Sequence, residues 1–185
     1  LMGAWNSRGL RGSYLEETLD SVNQIYMDQG LAVVQKVPTP ITPVEYDKQR
    51  GTIRLAYFDK KSTVDYIGNI QGFPVCFDAK ETAIANLPLY NIHEHQIEFM
   101  KAFAAQNGLA FLIVLFRSED AAFLLPCEKL FEFWDGAANG GRKSIPRSAF
   151  EERYRIGTHG NIQLHYLEAV STYLNQKENQ GEKEA

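Results

Sequence analysis

Sulfur chemistry is nearly absent from this chain. Its 185 residues hold two cysteines, Cys76 and Cys127, and no CxxC pair. That excludes a zinc ribbon or a disulfide scaffold and points to reduced core thiols in a cytosolic protein. No apolar run approaches a membrane span. No secretory leader is visible, because Arg8, Arg11, Glu16 and Glu17 interrupt the first twenty positions. There is no GxxxxGK[ST] phosphate loop, and Gly136 to Gly141 lacks the strand-to-helix setting that such a loop requires. No Gly-x-Ser-x-Gly elbow occurs. HExxH is missing too; His93 and His95 flank Glu94, and residues two apart do not share a helical face. Net positive charge is also lacking. Nineteen Lys and Arg against 23 Asp and Glu leave −4, which argues mildly against nucleic acid, since phosphate binding requires cations.

The distribution of charge says more than its sum. Residues 36–61 hold Lys36, Lys48, Arg50, Arg54, Lys60 and Lys61 against Glu45, Asp47 and Asp59. Residues 142–155 hold Arg142, Lys143, Arg147, Arg153 and Arg155 against Glu151 and Glu152. Arg8 and Arg11 make the first residues basic. A chain with 44% apolar and 12% aromatic residues can bury one sizeable core, so a single domain over 12–175 is expected.

Residues 1–11 read as a flexible basic segment. Leu15, Leu19, Val22 and Ile25-Tyr26 repeat at helical spacing, predicting a helix from Ser13 to about Gln29 that stops at Gly30. Leu31–Val37 reads as a strand. Pro38, Pro40 and Pro43 forbid a helix and a central strand, so about 38–50 is expected to be a protruding, irregular arm. Strands are expected at about 51–58, 63–69 and 73–80, then a helix at 92–107. Leu109–Phe116 is apolar throughout, the mark of a strand buried on both faces, and Ala121–Leu125 pairs naturally with it. Pro126 starts a short helix to about Trp134. Asp135–Arg147 reads as a loop, 163–176 as the last helix, and 176–185 as a disordered polar tail. The sum is an α/β fold with a central mixed sheet flanked by helices.

The chemistry concentrates in Ser62-Thr63-Val64-Asp65-Tyr66 and Phe77-Asp78-Ala79-Lys80-Glu81. Alternate strand residues share a face, so Asp78 and Lys80 project together, and a hairpin partner can bring Asp65 beside them. Two carboxylates can hold Mg²⁺, and an adjacent lysine can orient water or stabilise charge on a phosphate, the equipment of metal-assisted phosphodiester hydrolysis. Thr63 faces the same side on this reading and can bond a metal water or a phosphate; strand threonines are also simply structural. Glu16 is the candidate third carboxylate, and equally the closing member of a Ser13–Glu16 capping box. Gln96 can reach the scissile phosphate or remain a helix-surface amide.

Several stretches together resemble one family. They are Leu15-Glu16-Glu17, Gly30-Leu31-Ala32-Val33 with Lys36-Val37-Pro38-Thr39-Pro40, Ala56-Tyr57-Phe58, the two acidic segments, His93-Glu94-His95-Gln96-Ile97-Glu98, Leu130-Phe131-Glu132-Phe133-Trp134 and Gly141-Arg142-Lys143-Ser144-Ile145. The chain resembles the RecU-type Holliday-junction resolvases over roughly residues 9–170. The resemblance implies a restriction-endonuclease-like fold with a PD-(D/E)xK site, an intertwined homodimer, and symmetric nicking of four-way junctions with Mg²⁺, or Mn²⁺ as a substitute. By position it implies Asp65 and Asp78 as metal carboxylates, Lys80 as the lysine, and Thr63 and Glu16 in support. The arm at 38–50 would match the family's stalk, which enters the junction. Arg8, Arg11, Lys36, Lys48, Arg50, Arg54, Arg142 and Lys143 are the candidate DNA contacts. A recombinase or branch-migration protein is an expected partner, and a nucleoid-associated cytoplasmic protein the expected setting. The family usually has Glu where this chain has Asp78. Rival expectations are a junction-binding protein without catalysis and a nuclease of other DNA specificity.

Overall fold

The computed structural model describes residues 14–58 and 63–184. Helix α1 spans Tyr14–Asp28 and is followed by strands β1 (Val33–Lys36), β2 (Ile41–Asp47), β3 (Thr52–Phe58), β4 (Tyr66–Ile70), β5 (Phe73–Thr82) and β6 (Asn86–Pro88). Then come α2 (Glu94–Ala105), β7 (Leu109–Phe116), β8 (Ala121–Pro126), α3 (Cys127–Ala138), β9 (Ser144–Pro146), β10 (Arg155–His159), β11 (Ile162–His165) and α4 (Leu167–Glu184). Seven strands form one sheet in the order β1-β4-β5-β7-β8-β10-β11. It is mixed: β5 and β7 run parallel, joined through α2, and the other neighbours are antiparallel.

Period-two alternation sorts the sheet into two apolar layers. On one face, Phe77, Phe111, Ile113 and Leu124 pack against Leu15, Leu19, Val22 and Tyr26 of α1 and Val170 and Tyr173 of α4. Phe77 lies stacked between Tyr66 and Phe111, at 4.8 and 4.9 Å between ring centres. On the other face, Cys76, Ala110, Leu112, Val114 and Phe123 meet Ile97 and Met100 of α2 and Leu130 of α3. Both cysteines are buried in this second layer, and burial raises the thiol pKa of each. Every residue of β7 is buried. Its Leu, Ile, Val and Phe side chains each contribute about 1.5–3 kcal/mol of transfer free energy.

Several expectations change. The prolines do not make an irregular arm: Ile41–Asp47 and Thr52–Phe58 pair as an antiparallel hairpin outside the main sheet. Pro43 is tolerated because this strand pairs on one side only and its register shifts on either side of Glu45. The strand expected at 63–69 begins at Tyr66, so Thr63, Val64 and Asp65 precede it. Helix α3 continues to Ala138, four residues beyond Trp134, into the expected loop. In place of a disordered tail, α4 runs to Glu184. Lys177 pairs with Glu128 at 3.1 Å, and Gln176 receives the Tyr154 hydroxyl, which ties that helix to the body. The β10–β11 hairpin and the short β6–β9 pair went unread because they carry little alternation. The expected flexible segment 1–11 lies outside the described residues. Among the described residues, no helix is long and apolar enough to cross a membrane.

Gly68 of β4 sits opposite Val34 of β1. A Cβ there would collide with the Val33 carbonyl oxygen and come within 2.6 Å of Val34 Cα. Gly68→Ala is therefore expected to destabilise the chain by about 1–3 kcal/mol, the usual cost of overpacking against backbone. The check is the urea midpoint at unchanged slope.

Candidate metal and phosphate site

The β4–β5 ladder ends at Tyr66 opposite Phe77. One residue further, the two strands exchange bonds through side chains. The Asp65 amide donates to Asp78 Oδ1 at 2.7 Å, and the Ala79 amide donates to Asp65 Oδ2 at 2.9 Å. The Asp65 carbonyl accepts the Val37 amide at 2.8 Å, on the β1 side. Asp65 is thus fixed on three sides although it lies outside a strand, and the two carboxylates are held beside each other.

Asp78 is fully buried. Its second oxygen, Oδ2, has no hydrogen-bond partner. Lys80 Nζ, 15% exposed, stands 3.1 Å from it as an ion pair. Burial raises the Asp78 pKa, and Lys80 only partly offsets it. Asp65 is pushed up to about 6, first by burial and next by the charge of Asp78, while Lys80 and the Ala79 amide pull the other way. Two mutually repelling, desolvated carboxylates whose pKa values stay raised despite Lys80 form a site that favours a further cation.

Glu16 lies close enough to raise both pKa values by its charge. It does so from the opposite layer, because α1 packs on the face of Phe77. Lys36 Nζ bridges Glu16 Oε2 at 2.8 Å and Asp20 Oδ2 at 3.4 Å. The Tyr66 hydroxyl lies 2.7 Å from Asp20 Oδ1 and 3.2 Å from the Glu16 carbonyl oxygen. Lys36, read from sequence as a DNA contact, is engaged in this network beside the site. The Ser13 half of the capping box lies outside the described residues.

Thr63 is half-buried on the segment before β4, so the same-face argument from strand alternation does not apply to it. Gln96 is buried and turned inward, its Oε1 accepting the His93 amide at 3.0 Å as an N-terminal cap of α2. His93 and His95 do approach each other: their rings stack at 5.4 Å, because His93 is the extended cap residue and not a helical one. Lys48 and Arg50 are exposed at the turn of the β2–β3 hairpin, and Arg54 on β3 pairs with Asp47 at 3.4 Å. Exposed Arg142 and Lys143 precede β9, with Arg142 Nε donating to Ser144 Oγ at 3.2 Å. Arg8 and Arg11 lie outside the described residues.

Sequence reasoning missed Glu81. Its Oε1 accepts the Leu15 amide at 2.8 Å, at the open N-terminus of α1, and its Oε2 pairs with Arg117. The signal was available: Glu81 alternates with Lys80 and so faces the layer that receives α1.

Against known proteins, the family described as RecU, recombination protein U, matches residues 10–172. The Holliday junction resolvase RecU of Pediococcus pentosaceus is 46% identical over 171 residues, covering 90% of this chain and 85% of that protein. Its counterpart from Limosilactobacillus reuteri is 42% identical over 169 residues, covering 89% and 83%. Among solved structures, Archaeoglobus fulgidus Hjc, a Holliday junction resolvase, aligns with a TM-score of 0.46 at 11% identity, covering 75% of this chain and 91% of that one.

The pKa shift fixes a pH dependence. In the unfolded chain Asp65 ionises near its ordinary value, and in the fold at about 6. The folded state therefore holds the extra proton between these values. The stability that this supplies is full below about pH 4 and is lost as pH rises through 6, on the order of 3 kcal/mol. In EDTA, Asp65→Asn should escape that loss. The variant is expected to be more stable than the wild type at pH 8, with the gap closing at pH 4, as read by urea unfolding at both pH values.

Proposed function

The chain belongs to the RecU, recombination protein U, family, and on that premise we propose that it is a Holliday-junction resolvase, an endonuclease that nicks four-way DNA symmetrically. The observation that carries this reading is the buried pair Asp65 and Asp78, held side by side by reciprocal amide bonds, with Lys80 Nζ ion-paired to Asp78 Oδ2 at 3.1 Å. A module that only binds DNA has no use for two carboxylates held at such cost beside a phosphate-seeking lysine.

An all-oxygen donor set suits a hard divalent cation. Asp65 and Asp78 would hold it, with Glu16 adding negative potential from α1 and Thr63 within two residues along the chain. When bound there, Mg²⁺, or Mn²⁺ in its place, supplies neutralisation of the phosphate charge and acidification of water. The chain's own residues do the rest. Asp78 holds Lys80 by charge, so its ammonium points into the site and can meet a non-bridging phosphate oxygen as charge builds there. The reciprocal amide bonds fix both carboxylates before substrate arrives.

The β2–β3 hairpin is the candidate stalk. Ile41, Val44, Tyr46, Ile53, Leu55 and Tyr57 are all exposed on it, an apolar display that suits contact with another surface. Lys48 and Arg50 at its turn suit phosphates. Two copies about a twofold axis would present two equivalent sites to two strands of like polarity, the arrangement that paired nicks demand. A recombinase or branch-migration protein would act beside it on the nucleoid, in the cytoplasm.

Three measurements test this. A synthetic mobile four-way junction, set beside linear duplex and single strand with Mg²⁺ or EDTA, is expected to show paired nicks that require both Mg²⁺ and Asp65. Tight binding without cutting would replace the resolvase with a binding protein, and equal cutting of duplex would point to another nuclease specificity. Lys80→Met is expected to retain junction binding in a mobility-shift assay and to lose at least about 10²-fold in cleavage rate. Replacing Ile41–Tyr57 by a short Gly-Ser bridge is expected to abolish junction cleavage while the cooperative unfolding of the main sheet persists; full activity would remove the stalk assignment.

A further inference from the structure

At the sheet edge opposite β1, three side chains from three elements converge. His159 ends β10, His165 ends β11, and Glu168 stands in the first turn of α4. One ligand atom of each lies within 4.8 Å of the others. His159 Nδ1 and Glu168 Oε1 are 3.0 Å apart, and the two imidazole rings are 5.1 Å apart at 37°. We propose that His159, His165 and Glu168 bind a transition-metal ion of the zinc class, at a site separate from Asp65 and Asp78.

The geometry is close to what such an ion requires. Zn–N bonds of about 2.0–2.1 Å in a tetrahedron place ligand atoms about 3.4 Å apart. The His159–Glu168 pair is already near that spacing, and both side chains are 69% exposed and can move the remaining distance. His165 is the anchored member. Its Nδ1 lies 3.0 Å from the Tyr26 hydroxyl, and that hydroxyl oxygen accepts the Tyr166 amide at 3.1 Å. Tyr26 is fully buried. A ligand histidine whose other ring nitrogen is held by an outer hydrogen bond is the usual arrangement at metal centres; the Tyr26 bond holds the ring in either tautomer, and an ion at Nε2 would select the one with its proton on Nδ1. Burial and the neighbouring His159 lower the His165 pKa, which favours the neutral ligand form, while the Glu168 charge opposes them. Two imidazoles and one carboxylate select zinc, copper or nickel over magnesium. The donor set therefore differs in kind from the all-oxygen catalytic pair. Three protein ligands leave a fourth position open, and His165 and Glu168 also line a cleft of about 450 Å³. A bound ion would clasp the β10–β11 hairpin, a sheet edge with a register shift between Gly157 and His159, to the start of α4.

The test removes the competing site first. The full chain carrying Asp65→Asn and Asp78→Asn is titrated with Zn²⁺ by calorimetry in excess Mg²⁺, and with Co²⁺ by visible absorption. One Zn²⁺ per chain is expected, uncompeted by Mg²⁺. Adding His159→Ala should abolish that binding and the Co²⁺ bands, and adding Glu168→Gln should weaken it by at least about tenfold. Both positions are exposed, so both variants should fold, as circular dichroism would verify. Independently, Zn²⁺ should shift the His159 and His165 imidazole resonances in the unsubstituted chain. Saturable zinc binding that survives His159→Ala, no saturable binding at all, or resonances that stay in place would each overturn the proposal.

Discussion

Where β4 parts from β5, carboxylates take over the pairing that carbonyls perform elsewhere in the sheet. Asp65 receives the Ala79 amide proton of β5, and Asp78 receives that of Asp65, one residue before β4. A single arrangement thereby keeps the fork closed and sets two negative charges side by side. Hydrogen bonds to the charged form partly offset burial and repulsion, but Asp65 still sits at about 6 and the Asp78 pKa stays raised by burial. The cost is carried by the apolar layers around it, above all the Tyr66–Phe77–Phe111 stack immediately inside the fork.

Helix α1 braces this fork from the other face. Glu81 caps its first turn, the Lys36–Glu16–Asp20 network holds its side, and Tyr26 near its end bonds to the β11–α4 junction. The rise of a helix separates these contacts by about 15 Å from Glu16 to Tyr26, and α1 touches both edge strands, β1 and β11. The strand alternation explains why Glu81 looks one way and Lys80 the other: structure and chemistry share β5 by turning to opposite sides.

Much of this was legible in the residues. The apolar run Leu109–Phe116 announced a central strand, and Asp78-Ala79-Lys80 announced a two-faced one, because burial and period two leave direct traces. The helical stripe from Leu15 to Tyr26 did the same for α1. What stayed hidden was tertiary. Asp65 precedes its strand, and its position depends on bonds to Asp78, Ala79 and Val37 that no local pattern encodes. For Gln96 the residues leave a phosphate contact and a helix-surface amide both open, and neither foretells its burial or the bond of its Oε1 to the His93 amide. The proline-rich segment misled because prolines forbid a central strand but not an edge pair, and α4 outran its apolar stripe because Gln176 and Lys177 find partners across the fold.

The β2–β3 hairpin carries a consequence of its own. Two strands alone are marginal in water, and this pair shows apolar side chains to solvent along both strands. Its backbone hydrogen bonds therefore lie at the weakly protected end of the structure, and those of buried β7 at the other. The shifts around Glu45 and the kink-favouring Pro43 spoil the flat edge that would otherwise template stacking with other chains. An arm that is kept both sticky and irregular obtains its final order from whatever it touches, and the ordering entropy is then charged to that encounter. Partners that grip the arm in one geometry would be favoured over those that merely brush it.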